Sequence, residues 1–188
     1  MAKVYEFIAN GSEEIESLIP LDVMRRGGVE FLTVSITGSK TVEMAHGVKI
    51  EADLLFEEAD FSDADLLMLP GGLPGADYLN AHEGVRKAVM EQNAEGKMIA
   101  AICAAPQVLG SLGLLEGRRA TCYPGFEKFM TGATYTAELC TVDGNITTGE
   151  GPAATLPYAY TLLKALKGGD TADQIAEGMR YKHLMAEK

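Results

Sequence analysis

The run Met98-Ile99-Ala100-Ala101-Ile102 has no polar side chain and passes without a turn residue into Cys103-Ala104-Ala105-Pro106. A strand this apolar must be covered on both faces, which is the condition of an inner strand in a parallel sheet. The rest of the chain fits that frame, because strand and helix patterns alternate along it. Strands are expected at Lys3 to Ala9, Val29 to Ser35, Asp65 to Leu69, Met98 to Ile102, Arg119 to Cys122, Glu138 to Val142 and Ile146 to Thr148. Two short pieces, Thr41 to Ala45 and Val48 to Ala52, divide at His46-Gly47 and read as a small hairpin. Helices are expected at Ser12 to Arg26, Gly84 to Glu95, Pro106 to Leu112, Pro152 to Lys167 and Asp170 to Met179. Ser12 is placed to cap the first helix, Gly27-Gly28 stops it, and Pro20 should kink it or mark an irregular turn. The alternation predicts an α/β fold: a mostly parallel sheet with helices on both faces. With 188 residues and no linker or repeat, one domain spanning 1–188 is expected.

Charge and cysteine content remove several function classes. Sixteen Lys+Arg against 27 Asp+Glu leave a net charge of −11. Such a surface repels phosphate backbones and anionic lipid, so neither nucleic acid nor a membrane is an expected partner. No apolar run approaches the roughly 18 residues of a membrane span, and the start of the chain does not read as a signal peptide. Three cysteines, Cys103, Cys122 and Cys140, form neither a CxxC pair nor a zinc-spaced cluster with histidine. A reducing, cytoplasmic setting is expected, and neither a metal nor an organic cofactor.

In parallel α/β sheets ligands bind beyond the carboxyl ends of the strands, so the residues that follow each strand carry the information. At Ile102-Cys103-Ala104-Ala105-Pro106 a buried strand meets a helix with cysteine at the junction. This is the layout of a nucleophile elbow, where the starting helix favours a thiolate. The alternative is that Cys103 is a small buried hydrophobe. After Leu69 the glycines of Pro70-Gly71-Gly72-Leu73-Pro74-Gly75 either cradle an oxyanion with backbone N–H groups or form a plain tight loop. In Asn10-Gly11-Ser12-Glu13-Glu14-Ile15-Glu16, the last residue lies one turn into the helix. It either shares a proton with the thiol or is a surface acid.

Taken together, Gly11-Ser12-Glu13-Glu14-Ile15-Glu16, Leu69-Pro70-Gly71-Gly72, Ala100-Ala101-Ile102-Cys103-Ala104-Ala105-Pro106 and Gly151-Pro152 resemble the ThiJ/PfpI superfamily, in the branch of the Parkinsonism-associated protein deglycase and its bacterial relatives. The resemblance implies a flavodoxin-like sandwich and a homodimer. It implies that Cys103 is the elbow nucleophile, that Glu16 is its protonated carboxyl partner, and that the amides of Gly72 and Ala104 line the oxyanion hole. The activity implied is cofactor-free glyoxalase or deglycase chemistry on methylglyoxal-type 2-oxoaldehydes or on glycated protein, through a Cys103 hemithioacetal. The alternative is a redox sensor or chaperone that uses Cys103 oxidation, with Cys122 able to resolve a sulfenic acid if its strand lies beside the elbow. Related sequences also carry names from intracellular proteases, amidotransferases and thiamine thiazole-phosphate biosynthesis.

Two departures from the family pattern bear on this. Tyr123 of Thr121-Cys122-Tyr123-Pro124 stands where some members place histidine, and its hydroxyl becomes a candidate to hold the substrate oxygen. Of His46, His82 and His183, only His46 is near an expected strand end, so a Cys–His dyad is disfavoured. Glu150 replaces an arginine found in some relatives and should repel carboxylate ligands. Ile15, Leu18, Ile19, Leu21, Val23 and Met24 surround the first helix, which predicts a second cover on its far side. A copy of the chain across a two-fold axis would supply it.

Overall fold

The strands of the computed structural model, which describes residues 1–186, alternate with helices along the chain. In order these are β1 (Lys3–Ile8), α1 (Glu14–Arg26), β2 (Glu30–Ser35), β3 (Thr41–Glu43), β4 (Lys49–Glu51), β5 (Leu54–Leu55) and β6 (Leu66–Leu69). Then follow α2 (Gly75–Ala81), α3 (Glu83–Ala94), β7 (Met98–Ile102), α4 (Pro106–Ser111), β8 (Arg119–Ala120), β9 (Thr134–Tyr135), β10 (Cys140–Asp143) and β11 (Ile146–Gly149). The chain ends in α5 (Thr155–Lys167), α6 (Gly169–Gly178) and α7 (Tyr181–Ala186).

Seven strands form one sheet in the order β10-β11-β7-β6-β1-β2-β5. All neighbours are parallel except the β10–β11 pair. Side chains alternate between the two faces, and each face has its own core. Tyr5, Phe7, Leu67, Leu69, Ile99 and Ala101 lie under α2, α3 and α4, against Leu79, Val85, Val89 and Leu109. Val4, Leu66, Met68, Ala100 and Ile102 lie under α1 and α5, against Val23, Met24, Tyr158 and Leu162. Each of the larger of these side chains contributes roughly 2 kcal/mol by leaving water. The sheet is thus largely apolar on both faces, as the sequence of β7 demands, with a few buried hydroxyls on β2, β10 and β11 and, among the described residues, one buried acid. Glu6, in register with Met68 and through it with Ala100, is 0% exposed on the α1–α5 face.

Several expectations are corrected in detail. Helix α1 is capped by Glu13, whose side chain accepts the Glu16 N–H. Ser12 does not cap it, because its hydroxyl is taken by the Ala9 N–H. Pro20 lies inside α1 without ending it; it only removes the bond that its N–H would have given to the Glu16 carbonyl. The segment expected as one helix from Pro152 begins with a 3₁₀ turn, Pro152–Ala154, before α5. Pro157 is accommodated in the first turn of α5, where an N–H has no helical partner to lose. Strand β8 stops at Ala120 and pairs with β9, outside the main sheet. The helix α2 was hidden by Pro70 to Gly75, whose prolines and glycines read as loop alone. The hairpin is present, as β3 paired with β4.

Candidate functional site

Strands β1, β6, β7 and β11 end side by side, and the residues that follow them converge. Cys103 follows β7 directly. Its N–H continues the parallel ladder onto the Gly149 carbonyl at 2.9 Å, and its own carbonyl accepts the Tyr123 N–H at 2.9 Å. Between these bonds the backbone at Cys103 is held at φ +64°. A non-glycine residue in the left-handed region costs about 1–2 kcal/mol, so the surrounding bonds must over-determine the turn. The side chain is 8% exposed, which leaves the sulfur buried but reachable.

Glu16 arrives from the first turn of α1, fully buried. Its Oε2 accepts the Gly71 N–H at 2.9 Å. Gly71 is the wall that the two side chains share. A Cβ there would lie 2.6 Å from the Cys103 Cβ, 2.6 Å from Glu16 Oε2 and 2.9 Å from the Ile102 carbonyl oxygen, so only glycine lets the three segments meet. Gly72 needs its freedom for a different reason. It has φ +84°, and a Cβ would strike the Glu13 N and the Gly11 carbonyl at 2.5 Å.

The electrostatics make Glu16 and Cys103 a single acid–base unit. Burial, with the nearby Glu13 charge, pushes Glu16 up to about 7, against lowering by the Cys103 thiol and the Gly71 amide. Burial and the negative charge of Glu16 push Cys103 up to about 12, while the amides of Gly72 and Ala104 favour the thiolate. Two buried groups this close titrate as a pair. While Glu16 keeps its proton its charge is absent, and the two amides are opposed by burial alone. Activation by the helix alone, expected from the sequence, is not what governs this thiol. Helix α4 starts only at Pro106, and burial outweighs the amides.

The structure therefore brings together Cys103, Glu16, Gly72 and Ala104. Tyr123 differs from them. It touches Cys103 through its backbone N–H, while its half-exposed ring lies over Gly151. That ring lines a cavity of about 280 Å³ with Pro124, Glu150, Gly151 and Pro152. Cys122 runs past the site in the chain, but its side chain is fully buried in the core of the opposite sheet face. There burial pushes it up to about 12. The groups that act on the Cys103 thiol include no histidine. His46 instead pairs through Nδ1 with Glu14 at 2.8 Å, and His82 caps α3 by accepting the Val85 N–H.

Among the described residues, one group of possible metal ligands comes within 4.8 Å of one another: Glu13, Glu14 and His46. Their atoms are engaged elsewhere, Glu13 in capping α1 and both Glu14 oxygens with His46. Sequence reasoning placed Gly71 in the strand-end loop as a possible cradle and missed its role as the wall between Cys103 and Glu16, although a glycine close after one buried strand and beside another marks close approach. It also overlooked that Glu6 belongs to the interior.

Residues 2–165 match the DJ-1/PfpI family. The chain is 40% identical to Protein DJ-1 homolog B of Arabidopsis thaliana over 93% of its own length and 40% of that protein's. It thus spans about two-fifths of the length of this plant relative. A protein of Pyrococcus horikoshii named a deglycase is 31% identical, with 88% of this chain and 99% of the relative covered. The solved structure of oxidized Toxoplasma gondii DJ-1 superposes with a TM-score of 0.91 at 33% identity, covering 95% of this chain and 98% of that one. The flavodoxin-like sheet, the strand-end glycines and the Glu16–Cys103 pair thus sit in a chain that belongs to the DJ-1/PfpI family.

Proposed function

We propose that this chain is a cysteine-dependent stress protein acting on methylglyoxal-type 2-oxoaldehydes or their protein adducts, without a cofactor. The observation that carries the proposal is the buried Glu16–Cys103 pair closed by Gly71, with two amides on the sulfur. The Cys103 thiolate attacks the aldehyde carbon, and a C–S bond forms. The carbonyl electron pair moves to oxygen, where the amides of Gly72 and Ala104 meet the developing charge. Glu16 gives that oxygen its proton, completing the hemithioacetal. As carboxylate it then takes the proton from the same carbon and returns it to the neighbouring ketone carbon, while the hydroxyl proton of the first carbon moves to the former ketone oxygen. The first carbon is oxidised and the second reduced, so no outside electron acceptor is needed. Water hydrolyses the resulting thioester to the 2-hydroxy acid and frees the thiol. In deglycation the same thiolate displaces the protein amine or thiol from the carbinol carbon of an adduct: the C–S bond to Cys103 forms as the bond to the protein breaks, Glu16 gives the leaving group its proton, and the same hemithioacetal results. Tyr123 and Glu150, at the neighbouring cavity, then bear on which substrates enter, with Glu150 disfavouring carboxylates. The name of the Pyrococcus horikoshii relative supports this reading.

The decisive measurement is 2-hydroxy acid formation from methylglyoxal by the wild type, Cys103→Ser and Glu16→Gln. Loss in both variants is expected, and equal turnover in all three overturns the proposal. A second reading, oxidation sensing by Cys103, draws on the relative whose structure is titled as oxidized. Under that reading the protein accumulates a stable oxidised mass and does not consume methylglyoxal.

The protein acts in this reading as a cytoplasmic homodimer of one-domain subunits. Ile15 is 45% and Leu18 36% exposed on the face of α1 turned away from its own core. A second copy of α1 across a two-fold axis is the cover proposed for them. Among the described residues no helix is long and apolar enough to cross a membrane.

A further inference from the structure

Six buried side-chain oxygens among the described residues have no hydrogen-bond partner, and five of them lie on one face of the sheet. They are both carboxyl oxygens of Glu6, Oε1 of Glu16, the hydroxyl of Ser17 and the hydroxyl of Tyr158. Folded proteins pair nearly all such groups, so five orphans on one face mark a buried polar cluster and not scattered defects. The cluster lies directly behind the site. Ser17 follows Glu16 on α1, and Tyr158 packs beside Ile102 and Gly149, at the strand ends that hold Cys103.

Glu6 is the unusual member. An ionised carboxylate with 0% exposure costs several kcal/mol, more than any one apolar neighbour returns. The Ser17 hydroxyl and the Arg25 charge favour the ionised form, but burial outweighs them and keeps Glu6 the neutral acid. A neutral acid is a donor as well as an acceptor. The free acceptor within this cluster that belongs to the proposed machinery is Oε1 of Glu16.

We propose that Glu6 is a positioning residue for Glu16: as the neutral acid it presents a hydrogen-bond donor to a relay through the Ser17 and Tyr158 hydroxyls, with water between them, that ends on Oε1 of Glu16. The inference rests on the reading that Glu16 and Cys103 share one proton. The charged group that acts on Glu6 is Arg25 of α1, beside the Ser17 hydroxyl; Tyr158 of α5 feels both Glu6 and Glu16 and so lies between the two acids, Cys140 of β10 also acts on Tyr158, and Cys103 acts on Glu16. Once the pair carries one negative charge, that charge divides between carboxylate and thiolate. A donor to Oε1 holds charge on the carboxylate. Removing the donor therefore moves charge to the sulfur, and Cys103 becomes more reactive. A merely structural loosening would expose the other thiols as well, so it is told apart by their labelling.

The experiment is iodoacetamide labelling of the full chain at about pH 8, read by peptide mass spectrometry at all three cysteines. Glu6→Leu is expected to label Cys103 roughly threefold to tenfold faster, as a shift of half to one unit in Glu16 dictates. Glu6→Gln, which keeps a neutral donor, is expected within about twofold of wild type on the same scale. Cys122 and Cys140 report loosening, since a disordered core exposes them too. If they also label faster in Glu6→Leu, the double variant Ser17→Ala/Tyr158→Phe decides, as it removes only the two hydroxyls; faster Cys103 labelling alone is expected. Unchanged or slower Cys103 labelling in a tightly folded variant overturns the inference. Glu16→Gln separates the two levels. If it leaves the pH dependence of Cys103 labelling unaltered, the shared-proton reading has failed. If it alters it while the Glu6 variants do not, only the role of Glu6 has failed.

Discussion

Replacing Glu16 by Gln should alter how stability depends on pH, by an amount the structure fixes. Glu16 rises from an ordinary value of 4.5 to about 7 in the folded chain. Between those values the native state binds more protons than the unfolded one, so stability falls as pH rises. Below about pH 4 both states hold the proton and the effect vanishes; by about pH 8 both have lost it and the full difference is felt. A shift of roughly 2.5 units corresponds to about 3 kcal/mol of stability lost across that window. Glutamine fills the same space and does not titrate, so Glu16→Gln should lack this slope. The stability of the variant minus that of wild type should grow by about 3 kcal/mol between about pH 4 and 8. The raised Glu6 contributes its own slope in both proteins, because burial, its largest cause, is the same in each. Urea unfolding followed by far-ultraviolet circular dichroism measures this, the chain having no tryptophan to report by fluorescence. A difference that stays flat across the window refutes the claim that Glu16 is held protonated near neutrality.

Three further outcomes are expected. Cys103 should react with iodoacetamide before Cys122 and Cys140, because two amides favour its thiolate against burial, whereas at Cys122 burial and the charges of Glu127 and Glu150 all oppose the thiolate and at Cys140 only the Thr161 hydroxyl favours it; equal labelling contradicts this. Gly71→Ala should lower turnover at least about tenfold, since its Cβ pushes Cys103 and Glu16 apart from 2.6 Å contacts and small misplacements at a reacting centre cost on that scale. Unchanged turnover would show that the close approach is not needed. Ile15→Glu with Leu18→Glu should give a 20.1 kDa particle in sedimentation where wild type gives twice that mass; a dimer that survives places the interface elsewhere.

The positions of Cys103 and Glu16 were legible because each sits at a boundary that local chemistry marks. An apolar strand ending at a cysteine, and acids opening a helix, need no long-range information. The state of the thiol was not legible, because it depends on Glu16, 87 residues earlier in the chain, and on how deeply both are buried. Glu6 was misleading for a similar reason. In Lys3 to Ala9 it reads as a break in an apolar run, and only the placement of β1 between β2 and β6 puts that face beneath α1 and α5. Helix α2 was lost because its start is written in residues that elsewhere forbid helix, Pro74 and Gly75. The glycine is there because a side chain would strike Ser12 at 2.4 Å, a contact that sequence patterning cannot anticipate.

The β3–β4 hairpin carries none of the proposed reactive groups, yet it is stitched to the loop that delivers Glu16. The Gly11 N–H bonds the Glu43 carbonyl, the Ala45 N–H bonds the Ser12 carbonyl, the Glu43 N–H bonds the Asn10 side chain, and both His46 donors hold Glu14. These bonds join two segments over 30 residues apart and have to break together when the hairpin lifts. The hairpin is therefore an external handle on the carboxylate. Whatever grips or prises it from outside also works on the turn that aims Glu16, without entering the site. Amide exchange at Gly11, Glu43, Ala45 and His46 should accordingly occur in one cooperative event rather than residue by residue.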